Sequence, residues 1–163
     1  MAMNKPNTER FILDSPLGTL AVHSEEGAIV SIDYPRGRLP VSPRGDKTVQ
    51  DLARQLALYF ADPKHCFDVP LRLHGTTFQQ RVWREMQAIP AGQTRTYGEV
   101  AQRLNSSARA VGNACRANPV PIVVPCHRIV AKGGPGGYGG ETAGRNLRIK
   151  TWLLRHEGVA VPS

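Results

Sequence analysis

Cys126 and His127 stand side by side in the stretch Val-Val-Pro-Cys-His-Arg-Ile-Val, at residues 123–130. A thiol near its ordinary pKa is only a few per cent thiolate at neutral pH, so a reactive cysteine needs a base and an oriented partner. The branched apolar neighbours would keep such a site rigid and partly dry. Unpaired cysteine is also among the most buried residue types, so the dipeptide alone is equally compatible with a core cysteine.

Positive charge is concentrated in the half of the chain that contains this pair. Residues 1–75 hold nine Lys or Arg and nine Asp or Glu, whereas residues 76–163 hold twelve and four, and the formal net charge is +8. A one-sided basic distribution favours a polyanionic partner such as nucleic acid.

A helix of very small side chains is predicted over residues 107–116. Ala108, Ala110 and Gly112 would let it approach another surface closely, while Arg109 and Arg116, two turns apart, would project from one side. Tight helix packing with two solvated arginines is the alternative interpretation.

A short helix precedes it, because Thr96 and Glu99 have the spacing of a capping box before Val100 and Leu104. Two short helices across a three-residue turn predict a helix-turn-helix. In a basic half of the chain, this arrangement makes DNA contact the better interpretation of the arginines.

Six glycines occur among residues 133–140, around Tyr138. Such glycine density permits close backbone approach and exposes N–H groups to a ligand. A flexible linker is the alternative, but Tyr138 is a poor linker residue and a good wall for a flat ring.

The elements that would position these residues fall into two halves, and we expect an α/β fold of the α+β type. Residues 1–75 predict a structural lobe with a small sheet, and residues 76–163 a mostly helical lobe that carries the chemistry. The segments that predict strands are residues 11–13, 19–22, 28–34 and, less regularly, 66–71. The segments that predict further helices are residues 48–60, 78–89 behind a Thr77–Gln80 capping box, and 145–156 with Leu147, Thr151 and Leu154 on one face.

Length and cysteine content exclude several classes of protein. A chain of 163 residues can bury its own core without disulfides or metals. Cys66, Cys115 and Cys126 are odd in number and widely spaced, which predicts neither a disulfide framework nor a zinc cluster. The first residues have no apolar signal region, and no run of about 18 apolar residues occurs. We therefore expect a cytoplasmic protein with no membrane partner, no cofactor and no metal.

The ordered motifs resemble one family, the O6-alkylguanine-DNA alkyltransferases, also called methylated-DNA-protein-cysteine methyltransferases. The resemblance runs through "TTFQQRVWREMQAIPAGQTRTYGEVA", "ARAVGNACRANPVPIVVPCHRIV", "GYGG" and "WLLRHEG", and extends more loosely over the first half. It implies an RNase H-like N-terminal lobe and a C-terminal lobe with a winged helix-turn-helix and the active-site cysteine.

The resemblance implies direct repair of double-stranded DNA that carries O6-alkylguanine. The protein would flip the alkylated base out of the duplex, and Cys126 would take the alkyl group irreversibly in a single turnover. His127 would reach the sulfur through a water, and Glu157 would orient the imidazole, which is the logic of a hydrolytic triad in the order Cys, His, Glu.

Other roles follow from the resemblance residue by residue. Arg109 matches an arginine finger that fills the gap left by the extruded base. Tyr97 matches a tyrosine that assists flipping and donates a hydrogen bond to guanine N3, and Asn118 matches the hinge between the recognition helix and an active-site strand. The remaining DNA-contacting positions are Thr96, Ala108, Ala110, Gly112 and Arg116.

The resemblance also implies a base pocket. Its residues would be Tyr138, Gly139, Gly140, Pro121, Val130 and, near the end of the active-site loop, Lys150. Gly139 stands where some relatives have serine, so only its backbone N–H could bond to O6. Zinc-bearing N-terminal forms are not supported, since the first half offers only Cys66 and separated histidines. We expect a monomer, and leave open clustering on DNA and activity on O4-alkylthymine.

Three other functions compete with this one. A DNA-binding alkyltransferase-like protein would sense damage without repair, but relatives with that role replace the cysteine. A cysteine hydrolase built on Cys126 and His127 would give no reason for Arg109 or the charge asymmetry. A purely structural DNA-binding domain would not need the Cys-His pair.

Overall fold

The structure is a computed structural model that describes residues 8–43, 45–138 and 142–161. The chain divides into two compact units, Met1–His74 and Gly75–Ser163. In the described parts of the chain, no helix is both long and apolar enough to span a bilayer.

The first unit contains a three-stranded antiparallel sheet in the order β1-β2-β3. Its strands are β1 (Thr8–Ser15), β2 (Gly18–Glu25) and β3 (Ala28–Asp33), each close to a strand predicted from the sequence. Glu26 and Gly27 turn the chain between β2 and β3 with φ of 48° and 78°, the left-handed backbone that suits a twisted two-residue hairpin. Residues 66–71 contribute one parallel bridge, from Leu71 to Ile29, rather than a strand.

Helix α1 (Lys47–Ala61) completes this unit, in agreement with the helix predicted there. Asp46 caps it: one carboxylate oxygen accepts from Val49 N at 2.8 Å, and the other accepts from Ser24 Oγ at 3.0 Å, which ties the helix to β2. The buried core of the unit includes Leu20, Val22, Ile29, Ile32, Val49, Leu52, Leu56 and Tyr59.

The second unit begins with α2 (Thr77–Gln87), whose predicted capping box was wrong by one residue. Thr76, not Thr77, is the N-cap: its Oγ1 accepts from Gln79 N at 3.1 Å, and Gln79 Oε1 accepts from Thr76 N at 2.9 Å. Because Thr76-Thr77 and Gln79-Gln80 are both repeated residues, the sequence allows a capping box that starts at either threonine. Gly75, just before this cap, lies against the Trp83 ring, which leaves no room for a Cβ at that position.

A two-helix motif follows, as predicted. Short parallel strands β4 (Arg95–Thr96) and β5 (Ile129–Val130) flank α3 (Tyr97–Arg103) and α4 (Ala108–Arg116). Thr96 and Ser107 cap the two helices through their hydroxyls. Buried Trp83 of α2 donates from Nε1 to Ala114 O at 2.9 Å, which fixes α4 against the core.

The last helix, α5 (Gly144–His156), was predicted within one residue, but its buried face was partly wrong. Leu154 is buried as expected, whereas Leu147 and Thr151 are only half-buried. The side chains that enter the core are Ile149, Lys150, Leu153 and Leu154. The spacing of apolar residues along the helix could not predict that Lys150 would be buried.

Candidate active site

Cys126 begins a short 3-10 helix, Cys126–Arg128, rather than the strand expected after the Asn118 hinge. The side-chain amide of Asn118 bonds to the segment before Cys126 through both its nitrogen and its oxygen. Its Nδ2 donates to Val124 O at 2.8 Å, and its Oδ1 accepts from Val120 N at 3.0 Å. The side chain of Asn118 therefore fixes the turn that delivers the cysteine.

This turn contains a residue in an unusual backbone conformation. Ile122 has φ of 74°, a region that β-branched residues avoid at a cost of about 1–3 kcal/mol. The residue is 1% exposed, so burial of its side chain offsets that cost. Packing thus imposes the backbone shape on the segment before Cys126.

His127 and Glu157 form a buried hydrogen-bonded pair. His127 Nε2 lies 2.7 Å from Glu157 Oε2, and both side chains are fully inaccessible. Since an ionised carboxylate only accepts, Nε2 carries the proton of this bond and the lone pair of a neutral imidazole lies on Nδ1. In the described structure, Nδ1 has no protein partner.

Arg128 completes the cluster, and the sequence analysis missed it. Its Nε donates to Glu157 Oε1 at 2.8 Å and its Nη2 to Oε2 at 3.1 Å, while Nη1 donates to Ile89 O at 2.6 Å. The carboxylate of Glu157 is therefore held by a two-pronged guanidinium on one side and by His127 on the other. In the sequence, only the position of Arg128 directly after the Cys-His pair pointed to a role in the site.

Burial shapes the protonation of the cysteine and the histidine. It raises the pKa of the Cys126 thiol, an effect that a hydrogen bond from Asn118 and the charge of Lys150 oppose. It lowers the pKa of His127, against the opposite influence of Glu157. The resting pair is accordingly a neutral thiol and a neutral imidazole.

Lys150 is fully buried beside the cysteine, in the interior of α5. Its Nζ donates to Ile129 O at 2.7 Å, to Gly137 O at 2.9 Å and to Tyr97 Oη at 3.4 Å. Burial lowers the pKa of Lys150 to about 8 and raises the pKa of Tyr97 to about 12. Lys150 thus joins β5, the glycine-rich segment and α3 around the site.

A cavity of about 230 Å³ opens next to Cys126. Its described walls are Tyr97, Gly112, Asn113, Cys115, Arg116, Cys126, Gly137, Tyr138 and Thr142. An apolar cavity of about 150 Å³ accommodates a benzene ring, so this cavity has room for a small flat group. Two aromatic rings and a thiol on its walls suit a flat, partly apolar ligand.

Not every predicted site residue lies on this cavity. Pro121 and Val130 are not among its described lining residues; Pro121 is buried and Val130 is half-buried in β5. Gly139 and Gly140 lie outside the described residues. Cys115 and Asn113 line the cavity without having been predicted to do so.

The outer side of α4 presents the predicted nucleic-acid contacts. Ala108 and Arg109 are exposed at the start of the helix, and Arg116 is exposed at its end. Ala110 and Thr96 are half-buried. Among the described residues, no three His, Cys, Asp or Glu side chains are grouped so as to hold a metal ion.

Comparison with protein families gives two matches that together span most of the chain. Residues 10–73 match a family model described as "6-O-methylguanine DNA methyltransferase, ribonuclease-like domain". Residues 77–159 match one described as "6-O-methylguanine DNA methyltransferase, DNA binding domain".

Individual relatives extend along nearly the full length. The methylated-DNA–protein-cysteine methyltransferase of Mycobacterium bovis is 40% identical over 159 residues, which is 93% of this chain and 93% of that protein. A crystal structure of Mycobacterium tuberculosis O6-methylguanine methyltransferase superposes with a TM-score of 0.79 at 34% identity, and covers 96% of both chains. A structure of Mycobacterium tuberculosis OGT in complex with DNA superposes with a TM-score of 0.73 at 36% identity, and covers 91% of this chain and 92% of that chain. These matches confirm the predicted mixed α/β fold.

Proposed function

The chain belongs to the 6-O-methylguanine DNA methyltransferase family, and we propose that it repairs O6-alkylguanine in duplex DNA by moving the alkyl group to Cys126. It is a methylated-DNA–protein-cysteine methyltransferase that acts by direct reversal of damage. The observation that supports Cys126 as the acceptor is its position directly before the buried His127–Glu157 pair, on a cavity that fits a base.

The pair supplies the proton acceptor that the thiol needs. His127 is neutral at rest with its lone pair on Nδ1, and a bridging water would carry the Cys126 proton to that atom. Glu157 then stabilises the imidazolium that forms, because its carboxylate accepts from Nε2 at 2.7 Å. Arg128 would keep the carboxylate oriented while the charge on His127 changes.

The thiolate attacks the alkyl carbon on O6, and the carbon–oxygen bond breaks as the carbon–sulfur bond forms. The electron pair of the broken bond goes to the guanine, and the proton that Cys126 gave up passes from His127 through water to the guanine, which leaves as a neutral base. Tyr97 lines the cavity and would donate a hydrogen bond to guanine N3, a role that its raised pKa suits because the phenol stays protonated. Tyr138 would pack against the base.

The acceptor is buried, so the base must leave the helical stack to reach it. Cys126 is only 7% exposed, and a base inside a duplex cannot approach it. Arg109 stands exposed on the outer side of α4, where it would fill the vacated space, and Arg116 would contact the backbone beside it. The small residues Ala108, Ala110 and Gly112 would allow α4 to lie close to the DNA, and Thr96, which caps α3, would contact the DNA as well.

We further propose that the protein acts as a monomer and that one chain repairs one lesion, because Cys126 would accept a single alkyl group irreversibly. Cys66, Cys115 and Cys126 are all free thiols, which fits the reducing cytoplasm. No step of the proposed reaction calls for a cofactor.

Intact-mass measurement after incubation with an O6-methylguanine duplex tests the function. A transferase gains the mass of one methylene per chain, on Cys126, and stops after one turnover. An unchanged mass with retained DNA binding would instead identify a lesion-sensing protein. Repeated turnover of a hydrolytic substrate would favour the cysteine hydrolase.

A further inference from the structure

The acceptor cavity contains a second thiol that the proposed reaction does not use. Cys115 lies in the last turn of α4 and lines the same 230 Å³ cavity as Cys126. A charge on Cys126 raises the pKa of Cys115, so the two sulfurs lie within electrostatic reach of each other. Both thiols are also close enough to Lys150 for its charge to lower their pKa values.

The cavity that both cysteines line has room for a short carbon chain. The cavity exceeds the volume of about 150 Å³ that holds a benzene ring, and an ethylene chain is smaller than that ring. An alkyl group bound to Cys126 Sγ would therefore occupy a cavity that Cys115 also lines.

We propose that Cys115 is a second acceptor, which captures the free end of an alkyl group that carries a second leaving group after Cys126 has bonded to the first end. This inference rests on the proposed function and extends its substrate class to bifunctional O6 substituents such as a 2-haloethyl group. The product is a thioether bridge between Cys115 and Cys126.

The bonds and charges of the second step balance without an oxidant. The first step leaves a 2-haloethyl group on Cys126 and releases guanine. Cys115 Sγ then bonds to the terminal carbon, the carbon–halogen bond breaks, and the halide leaves with the electron pair. The thiol proton of Cys115 goes to water.

Tethering explains why Cys115 would act second and why it would outcompete water. Burial raises the pKa of Cys115, which makes it a poor acceptor for a free electrophile. Once the electrophile is fixed in the same cavity, effective molarities of about 10⁵ M or more become available, against about 55 M for bulk water. Capture is therefore expected to exceed hydrolysis even for a thiol that is mostly protonated.

The test uses the full-length protein and 1,2-dibromoethane, which leaves on Cys126 the adduct that transfer of a bromoethyl group would leave. Trypsin cleaves after Arg109, Arg116 and Arg128, so Cys115 and Cys126 fall in the separate peptides 110–116 and 117–128. We expect these two peptides to be joined by one ethylene group. Recovery of wild-type Cys126 as a hydroxyethyl adduct, with Cys115 free, would overturn the proposal.

Two serine variants make the comparison specific. In Cys115→Ser, the hydroxyethyl adduct on Cys126 should increase at least about tenfold, because the tethered thiol no longer competes with water. Cys66→Ser, which removes the exposed thiol of the other unit, should bridge as the wild type does. An equal yield of hydroxyethyl adduct in the wild type and in Cys115→Ser would contradict the inference.

Prior reaction with an O6-methylguanine duplex separates this inference from the function on which it rests. Methylation of Cys126 should block the bridge. Methyl uptake without any bridge on later treatment of unmethylated protein would overturn the second acceptor alone. A bridge in a protein that takes no methyl from DNA would overturn the proposed function and leave the pairing of the thiols in place.

Discussion

His127 Nε2 and Glu157 Oε2 lie 2.7 Å apart, and water reaches neither side chain. Thirty residues of chain separate them, and α5 brings the glutamate back to the cysteine turn. A buried carboxylate next to imidazole stabilises the protonated ring strongly, because little solvent screens the pair. The base that we propose for Cys126 is therefore already paired with its carboxylate in the protein without DNA.

Glu157→Gln should slow alkyl transfer far more than it weakens DNA binding. Glutamine keeps an acceptor for Nε2 but loses the charge that stabilises the imidazolium, so the single-turnover rate constant should fall about a hundredfold, within the range of general base catalysis. DNA affinity should change by no more than about threefold, since the Glu157 side chain is fully buried and not available for a contact to DNA. Glu99→Gln, an exposed change on α3, is the control. Unchanged transfer by Glu157→Gln, measured by quench of a labelled duplex, would remove the residue from the mechanism.

Arg128→Lys should destabilise the protein more than the same change at Arg103. Lysine cannot reproduce the fork that grips both oxygens of Glu157 and the carbonyl of Ile89, so about 2–4 kcal/mol of unfolding free energy should be lost. Arg103 also bonds to a glutamate, Glu85, at 2.8 Å, but it is 65% exposed, and its replacement should cost less than about 1 kcal/mol. Urea denaturation of both variants measures the difference, and equal losses would mean that Arg128 does not hold Glu157.

Much of this site could be predicted from neighbouring residues. The Cys-His dipeptide places a thiol next to a base in the sequence, which makes Cys126 a candidate acceptor, although only the family resemblance separates it from a core cysteine. The small residues of α4 and its two arginines predict a helix that lies close to a polyanion, and the helix is found within one residue of the predicted range. Both predictions rest on residues that are neighbours in the sequence, and such residues remain neighbours in the folded protein.

Contacts between distant segments could not be predicted in this way. Arg128 bonds to Glu157 and to Ile89, which are 29 and 39 residues away, and nothing in the motif indicates such partners. Lys150 is buried because three oxygen atoms surround its ammonium group, whereas periodicity assigns lysine to the surface. The pairing of Glu157 with His127 came only from resemblance to a family.

The buried ammonium of Lys150 should give stability a distinctive dependence on pH. Its pKa is about 8 in the folded protein and 10.5 when exposed, so the unfolded chain binds more protons between these values, and stability gained through Lys150 rises with pH. The unfolding free energy of the wild type minus that of Lys150→Met should therefore increase by about 3 kcal/mol from pH 7 to pH 10.5. Tyr97 and Cys115 have raised pKa values and act in the opposite sense, but they are present in both proteins.

Lys132→Met serves as the control, because it removes an exposed lysine from the same unit. Chemical denaturation at several pH values provides the measurement. A difference that stays constant, or that shrinks as pH rises, would show that Lys150 is not desolvated in the folded protein.

Cys126→Ala should abolish methyl uptake and leave affinity for an alkylated duplex within about threefold, because the thiol supplies the nucleophile and little of the DNA contact. Peptide mapping after incubation with an O6-methylguanine duplex measures uptake, and titration of a fluorescent duplex measures binding. Cys66→Ser should accept one methyl group as the wild type does. Methylation of Cys66 or Cys115 in the alanine variant would show that the acceptor has been misassigned.

Arg109→Ala should separate flipping from chemistry. If the guanidinium fills the vacated stack, its loss penalises extrusion from a duplex, where unstacking and unpairing cost a few kcal/mol, but not reaction with free O6-benzylguanine. We expect duplex repair to slow by about a hundredfold while reaction with the free base changes less than about threefold. Arg116→Ala removes the other exposed arginine of α4, which also lines the cavity, and should weaken DNA binding with a salt dependence about one unit shallower in slope. Equal loss of both substrates in Arg109→Ala would mean that this arginine is structural, and the assignment of α4 as the helix that enters DNA would fail with it.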